Sequence, residues 1–241
     1  LTVGTPGYQT TTSNNKQQVF NGPMGSKTIQ AVAFDMDGLL LNTEDLYEEV
    51  GQILLQRRGK PYREEVRQRM IGLPAPEAFG VIIEHEELED TWQELQKETD
   101  EIFDGILDER LRLMHGVEDF LQAIESRKIP KCVATSSTQY FATKALQLVG
   151  IYERFDFVVT AAEVGKGKPH PDIYQVAAKR MGVEPRNMLV LEDSENGTKA
   201  GVAAEAYVVS VPNRHTQQGN FHGAKLIAKS LLDDELWRLV K

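Results

Sequence analysis

The chain has one cysteine, Cys132, so no internal disulfide can form and a reducing compartment is expected. It is also short of positive charge: 27 Lys and Arg against 36 Asp and Glu give a formal net charge of −9. That balance argues against sequence-independent binding to nucleic acid or to an anionic membrane surface, and any phosphate site must be a local concentration of positive groups. No apolar stretch is long enough to span a bilayer, and the opening residues have no signal-peptide core, so a cytoplasmic protein is the expectation. Large apolar residues are scarce in residues 1–28, which are rich in Thr, Gln, Asn and Gly and read as an arm outside the fold. The rest is ordinary globular material. With 41% hydrophobic residues over 241 positions, the chain can bury one large core or two unequal ones.

From Ile29 onward, apolar β-branched runs alternate with helical periodicity. Strands are predicted at Ile29 to Phe34, Lys131 to Thr135, Phe155 to Thr160, Met188 to Leu191 and Tyr207 to Val211, with helices at Val117 to Ser126, Thr138 to Val149, Asp172 to Met181 and Gly197 to Ala204. Strand, helix, strand in succession implies right-handed crossovers. The expected fold is therefore α/β, a doubly wound, mostly parallel, Rossmann-like sheet covered on both faces. The exception lies between Thr43 and Arg112, where only amphipathic helices are predicted: Glu44 to Arg58, Arg63 to Met70, Glu77 to Glu84 and Glu89 to Leu107. This gives a core of residues 29–43 and 113–241 and a small all-helical domain of residues 44–112, reached by two linkers.

Sheets of this kind bind ligands at the carboxyl ends of their strands, so the residues after each apolar run matter most. The first run ends in Asp35-Met36-Asp37-Gly38. Carboxylates at i and i+2 of an extended chain share one face, and two such groups repel unless a cation or a proton lies between them. The pair therefore predicts a bound hard metal ion or a shared acid/base role. The second run ends in Thr135-Ser136-Ser137, with hydroxyls and amides at a helix start, where an anion is favoured. After the third comes Gly165-Lys166-Gly167-Lys168-Pro169-His170-Pro171, in which Pro169 restricts and stiffens Lys168. The fourth ends in Glu192-Asp193. Together these ends supply carboxylates for Mg²⁺, a lysine and hydroxyls for phosphoryl oxygens, and a carboxylate oxygen able to attack phosphorus.

The motifs Asp35-Met36-Asp37-Gly38, Thr135-Ser136-Ser137, Lys168-Pro169-x-Pro171-Asp172 and Glu192-Asp193-Ser194-x-x-Gly197 resemble the four ordered motifs of the haloacid dehalogenase superfamily. The helical insert resembles its C1-type cap. Within the superfamily, Asp35 to Glu44 is similar to the group of phosphatases and mutases that includes β-phosphoglucomutase and pseudouridine-5′-phosphatase, with Asn42 where an aspartate is more usual. The resemblance implies that Asp35 is nucleophile and metal ligand, and that Asp37 is the general acid/base and lends its backbone carbonyl to the metal. It further implies that Thr135 and Ser136 bind the phosphoryl group, that Lys168 bridges it to Asp35, and that Asp193, with Glu192 less firmly, completes a Mg²⁺ site. The expected activity is hydrolysis of a small phosphomonoester through an aspartyl-phosphate.

Three alternatives stand beside it. A dehalogenase of this superfamily characteristically lacks the second aspartate. A mutase would present cap cations to a second phosphate, and Ile71 to Glu77 contains none. A non-catalytic module phosphorylated on Asp35 would not need a cap. His85, His115 and His170 are left out of the site.

Overall fold

The computed structural model describes residues 29–70 and 75–241, the Gln68 side chain excepted. The expected arm at residues 1–28, and residues 71–74 of the segment weighed for cap cations, lie outside them. Strands β1 (Ala31–Phe34), β2 (Lys131–Thr135), β3 (Phe157–Thr160), β4 (Met188–Glu192), β5 (Tyr207–Ser210) and β6 (Leu226–Ile227) form one sheet in the order β3-β2-β1-β4-β5-β6. Every adjacent pair is parallel. Since parallel strands need covered crossovers, the central strands are buried on both faces, which is why they read as continuous apolar runs.

Side-chain size divides the two faces. Ala31, Ala33, Cys132, Ala134 and Val190 pack beneath Ile173, Tyr174, Ala177 and Ala178 of α7 (Asp172–Met181) and Ala200 of α8 (Glu195–Ala203). Small residues on both sides let these helices lie close to the sheet. Burial there pushes the Cys132 thiol up and leaves it protonated. On the other face Val32, Phe34, Val133, Leu189 and Leu191 meet α5 (Val117–Ser126), α6 (Gln139–Leu148) and α9 (Asp234–Leu239). Phe34 sits edge-on to Phe120 and Phe155, with centroids 6.2 and 5.7 Å away.

The insert between β1 and β2 consists of α1 (Thr43–Gln56), α2 (Glu64–Met70), α3 (Ala75–Glu86) and α4 (Trp92–Arg110). α1 packs on α4, and α3 on both α2 and α4. The linkers on either side pair with each other: Asn42 N donates to Arg112 O at 3.1 Å and Met114 N to Leu40 O at 2.9 Å. The Asn42 side chain joins them again, accepting from Arg112 N at 2.7 Å and donating to Arg110 O at 3.3 Å. A carboxylate could make the first of these bonds and not the second.

Several element ends differ from the sequence expectation for local reasons. The last insert helix starts at Trp92 instead of Glu89, because Thr91 and Glu94 form a reciprocal capping box. α8 starts two residues before Gly197, where the Ser194 hydroxyl accepts from Gly197 N at 3.0 Å. β3 begins at Phe157, two residues after the expected start, since Tyr152–Arg154 forms a single tight turn. Neither the two-residue β6 nor the six-residue α9 was expected, both being too short for periodicity to register.

Arg58 ties the insert together. Its guanidinium donates to both oxygens of Asp90, at 3.1 and 2.7 Å, and to Glu98 Oε2 of α4 at 2.7 Å. Hydrogen bonds from Arg58 hold both carboxyls below the usual range. A depressed carboxyl pKa adds stability above the unfolded-state value and loses it as pH falls through the folded-state value. Arg58→Ala is expected to cost about 1–2 kcal/mol, a fall of roughly 3–6 °C in Tm at pH 7. The gap from the unaltered protein should narrow below about pH 4 in thermal scans, as Asp90 and Glu98 protonate.

Candidate active site

β1 lies between β2 and β4, where the chain reverses its direction of travel across the sheet, so the ends of these three strands border one crevice. The ladder carries β1 to its last useful residue, Asp35 N donating to Leu191 O at 2.9 Å. Beyond it Gly38 turns with φ +80°, and a Cβ there would fall 2.5 Å from Asp193 Oδ2. Glycine is required at this position on both counts.

Lys168 is the hub. Its ammonium donates to Asp35 Oδ1 at 2.5 Å, Glu192 Oε1 at 2.6 Å and Ala134 O at 2.9 Å, and its side chain is only 6% exposed. Burial alone would lower its pKa, but the two carboxylates outweigh burial and keep it charged. Glu192 is saturated by neighbours: Tyr174 Oη donates to Oε1 at 2.6 Å, and the Ser194 hydroxyl and amide donate to Oε2 at 3.0 and 3.3 Å. Glu192, expected as a metal ligand, thus accepts from Lys168 while standing in the same cluster of carboxylates.

Asp37 sits beside Asp35 but takes different partners. Its Oδ2 accepts from the Ser137 hydroxyl at 2.8 Å and the Thr135 hydroxyl at 3.1 Å, while its buried Oδ1 has no hydrogen-bond partner among the described residues. Thr135, expected on the phosphoryl group, donates here to the second aspartate, and Ser136 lies exposed at the same turn. Asp193 Oδ2 accepts from Asn213 Nδ2 at 2.8 Å.

Asp35, Glu192 and Asp193 each bring a carboxylate oxygen into a group within 4.8 Å. Burial is the main force raising the Asp35 and Asp193 pKa values; Lys168 opposes it, while Glu192 and the neighbouring aspartates reinforce it. Asp35, Asp37, Glu192 and Asp193 outnumber the single Lys168 ammonium, an excess of carboxylates whose charge a divalent cation would offset. This all-oxygen donor set fits a hard ion such as Mg²⁺. Beside it a cavity of about 240 Å³ opens between core and insert, lined in part by Gly38, Glu44, Asp45, Asn213 and His215.

A family model for haloacid dehalogenase-like hydrolases matches residues 32–211, most of the chain and all four strand ends of the site. The chain belongs to that family. This haloacid dehalogenase-like hydrolase is 37% identical over 220 residues to a probable pseudouridine-5′-phosphatase of Drosophila melanogaster, covering 87% of this chain and 94% of the relative. It is 34% identical over 176 residues to a phosphorylated carbohydrates phosphatase of Thermotoga maritima, covering 73% and 82%. A crystal structure from Thermotoga maritima, assigned provisionally as a β-phosphoglucomutase, superposes with a TM-score of 0.74 at 32% identity, covering 84% of this chain and 95% of that one. The hydrolase is an enzyme, and these curated relatives carry phosphatase names.

Sequence reasoning missed Ser137, Tyr174 and Asn213. Ser137 belongs to the triplet after the second strand, and Asn213 lies two residues beyond the fifth apolar run. Tyr174 lies in a helix with no local signal. His85, His115 and His170 stay outside the constellation: His85 contacts Glu86, and the other two are exposed.

Two glycines give contrasting expectations. A Cβ on Gly197 would lie 1.8 Å from Glu192 Oε1, so Gly197→Ala must displace the carboxylate that holds Lys168. It should cost roughly 2–4 kcal/mol and at least tenfold in kcat. Gly80, inside α3 with nothing within 4 Å, should gain about 0.5–1 kcal/mol as Gly80→Ala without loss of activity. Urea unfolding and steady-state kinetics on both variants check the pair.

Proposed function

We propose that this protein is a Mg²⁺-dependent phosphatase that hydrolyses a small phosphorylated metabolite through an aspartyl-phosphate on Asp35, with α1 to α4 as its cap. The observation that carries the reading is the buried meeting of Asp35, Lys168 and Asp193 beside an Asp37 held by two hydroxyls at one sheet edge. The phosphatase names of relatives matched over most of their length support it.

Asp35 and Asp193 would hold Mg²⁺ through their carboxylates and Asp37 through its backbone carbonyl. When bound, the ion offsets the charge of these groups and of the phosphoryl oxygens. Lys168, fixed by Glu192, orients the Asp35 carboxylate and offsets part of its charge. In the first half-reaction an Asp35 oxygen forms a bond to phosphorus as the bond to the leaving oxygen breaks. Asp37 gives its proton to that oxygen, and the alcohol departs. In the second, Asp37 takes a proton from water as the water oxygen attacks phosphorus, which releases inorganic phosphate and restores Asp35. Thr135 and Ser137 hold Asp37 by Oδ2, which leaves Oδ1 for the proton.

Hydrolysis is favoured over return of the phosphoryl group to a bound sugar phosphate. The cavity beside the site carries Glu44 and Asp45, and its Arg214 is already paired with Asp45 and Glu48. Residues 71–77 contribute no cation. A second substrate phosphate would be desolvated there without a partner, at a cost of several kcal/mol.

Asp35→Asn should fold normally and abolish turnover of an aryl phosphate, because an amide does not attack phosphorus. Retention of a tenth of the unaltered kcat would count against the assignment. Excess chelator should stop multiple turnovers, and Ca²⁺ should not restore them well, since its longer bonds and higher coordination disturb in-line geometry. Incubation with β-glucose 1-phosphate and catalytic 1,6-bisphosphate should yield inorganic phosphate. Faster formation of glucose 6-phosphate would make the protein a mutase.

A further inference from the structure

The loop after β5 places three consecutive side chains in two different parts of the molecule. Asn213 Nδ2 donates to Asp193 Oδ2 at 2.8 Å and to Gly38 O at 3.0 Å. It therefore spans from the carboxylate at the end of β4 to the turn that follows Asp35 and Asp37. The loop is closed on itself: Asn213 Oδ1 accepts from His215 N at 2.7 Å, and Asn213 N donates to the Thr216 hydroxyl at 3.0 Å. The next two residues face the insert. Arg214 donates to Asp45 at 3.0 Å and Glu48 at 2.6 Å, both on α1, and the buried His215 ring meets Asp45 Oδ1 at 2.7 Å. Space is so limited that a Cβ on Gly38 would lie 2.7 Å from Asn213 Nδ2.

We propose that Asn213 is a positioning residue that sets the Asp193 carboxylate for the divalent cation, and that Arg214 and His215 fix Asn213 by anchoring its loop to α1. The inference rests on the metal reading given above. A carboxylate free to rotate loses part of its binding energy in being ordered, and groups that orient ligands in this way typically contribute about 10- to 100-fold to metal affinity. Asn213 touches neither phosphorus nor the attacking oxygen, so its loss should act through the cation.

The test is calorimetric titration of the full chain with Mg²⁺ alone, without substrate, followed by kinetics at rising Mg²⁺. Asn213→Ala is expected to bind Mg²⁺ about tenfold more weakly, with kcat recovering at high Mg²⁺ and the substrate KM at saturating Mg²⁺ nearly unchanged. Arg214→Ala supplies an independent check, since its side chain is 61% exposed and the substitution should not threaten folding. Long-range electrostatics alone predicts that removing this positive charge tightens cation binding. The anchoring role predicts the opposite, a loss of severalfold. Unchanged affinity in Asn213→Ala, or equal or tighter binding in Arg214→Ala, would overturn the proposal while leaving the phosphatase reading in place. Failure of the unaltered protein to bind Mg²⁺ would remove the metal reading and this inference with it.

Discussion

A single buried ammonium makes the rest of the site possible. Lys168 lies between Asp35 and Glu192 in a crevice where burial disfavours the charged Asp35 carboxylate and the ammonium opposes that penalty. Much of the surrounding architecture serves to keep it there. β3 and its following loop deliver it, Ala134 O at the end of β2 accepts from it, and Tyr174 packs 5.3 Å from it while holding Glu192. Gly197 leaves the space in which the Glu192 carboxylate fits. Fixed lysine and fixed glutamate together still leave the site acidic. That residual charge is what a divalent cation and a phosphoryl group would share.

The course of the sheet and the ends of its strands were legible in the sequence because both depend on short-range pattern. Apolar runs mark buried parallel strands, and polar residues directly after them mark the edge where a ligand binds. Asp35, Asp37, Thr135, Lys168, Glu192 and Asp193 were all found by that one rule. What it could not give was which of these groups binds which. Thr135 serves Asp37, and Glu192 serves Lys168, because hydroxyl and carboxylate partners are chosen by distances between strands that lie about 100 residues apart in the chain for Thr135 and Asp37. Tyr174 was illegible for the same reason. Its helical position predicts burial and says nothing about a phenol meeting Glu192.

Asn42 illustrates the opposite case, a departure from the family pattern visible in the sequence but interpretable only in three dimensions. Loss of a charge was the apparent change. In the structure its amide accepts from Arg112 in the returning linker and donates to Arg110 at the end of α4, so the substitution adds a donor where the chain leaves the insert.

The insert carries a packed interior and also meets the core. Its interior is well packed, with Leu46, Val50, Leu54, Ile82, Leu95 and Leu107 buried, and Arg58 binds its helices internally. Beside the apolar cluster that insert and core share, several specific contacts join them. On one side are the Arg214 and His215 pairs with α1; on the other are an exposed Lys144–Asp104 pair at 3.0 Å and an edge contact between Phe103 and Phe141. The exposed Lys144–Asp104 pair contributes about 0–1 kcal/mol, whereas the His215 ring is buried against Asp45. The loop that grips α1 also grips Asp193, and an insert swinging away from the core would pull on the residue that orients a metal-side carboxylate. Closure over a substrate and completion of the metal site would then be aspects of one movement, because a single turn of chain after β5 takes part in both.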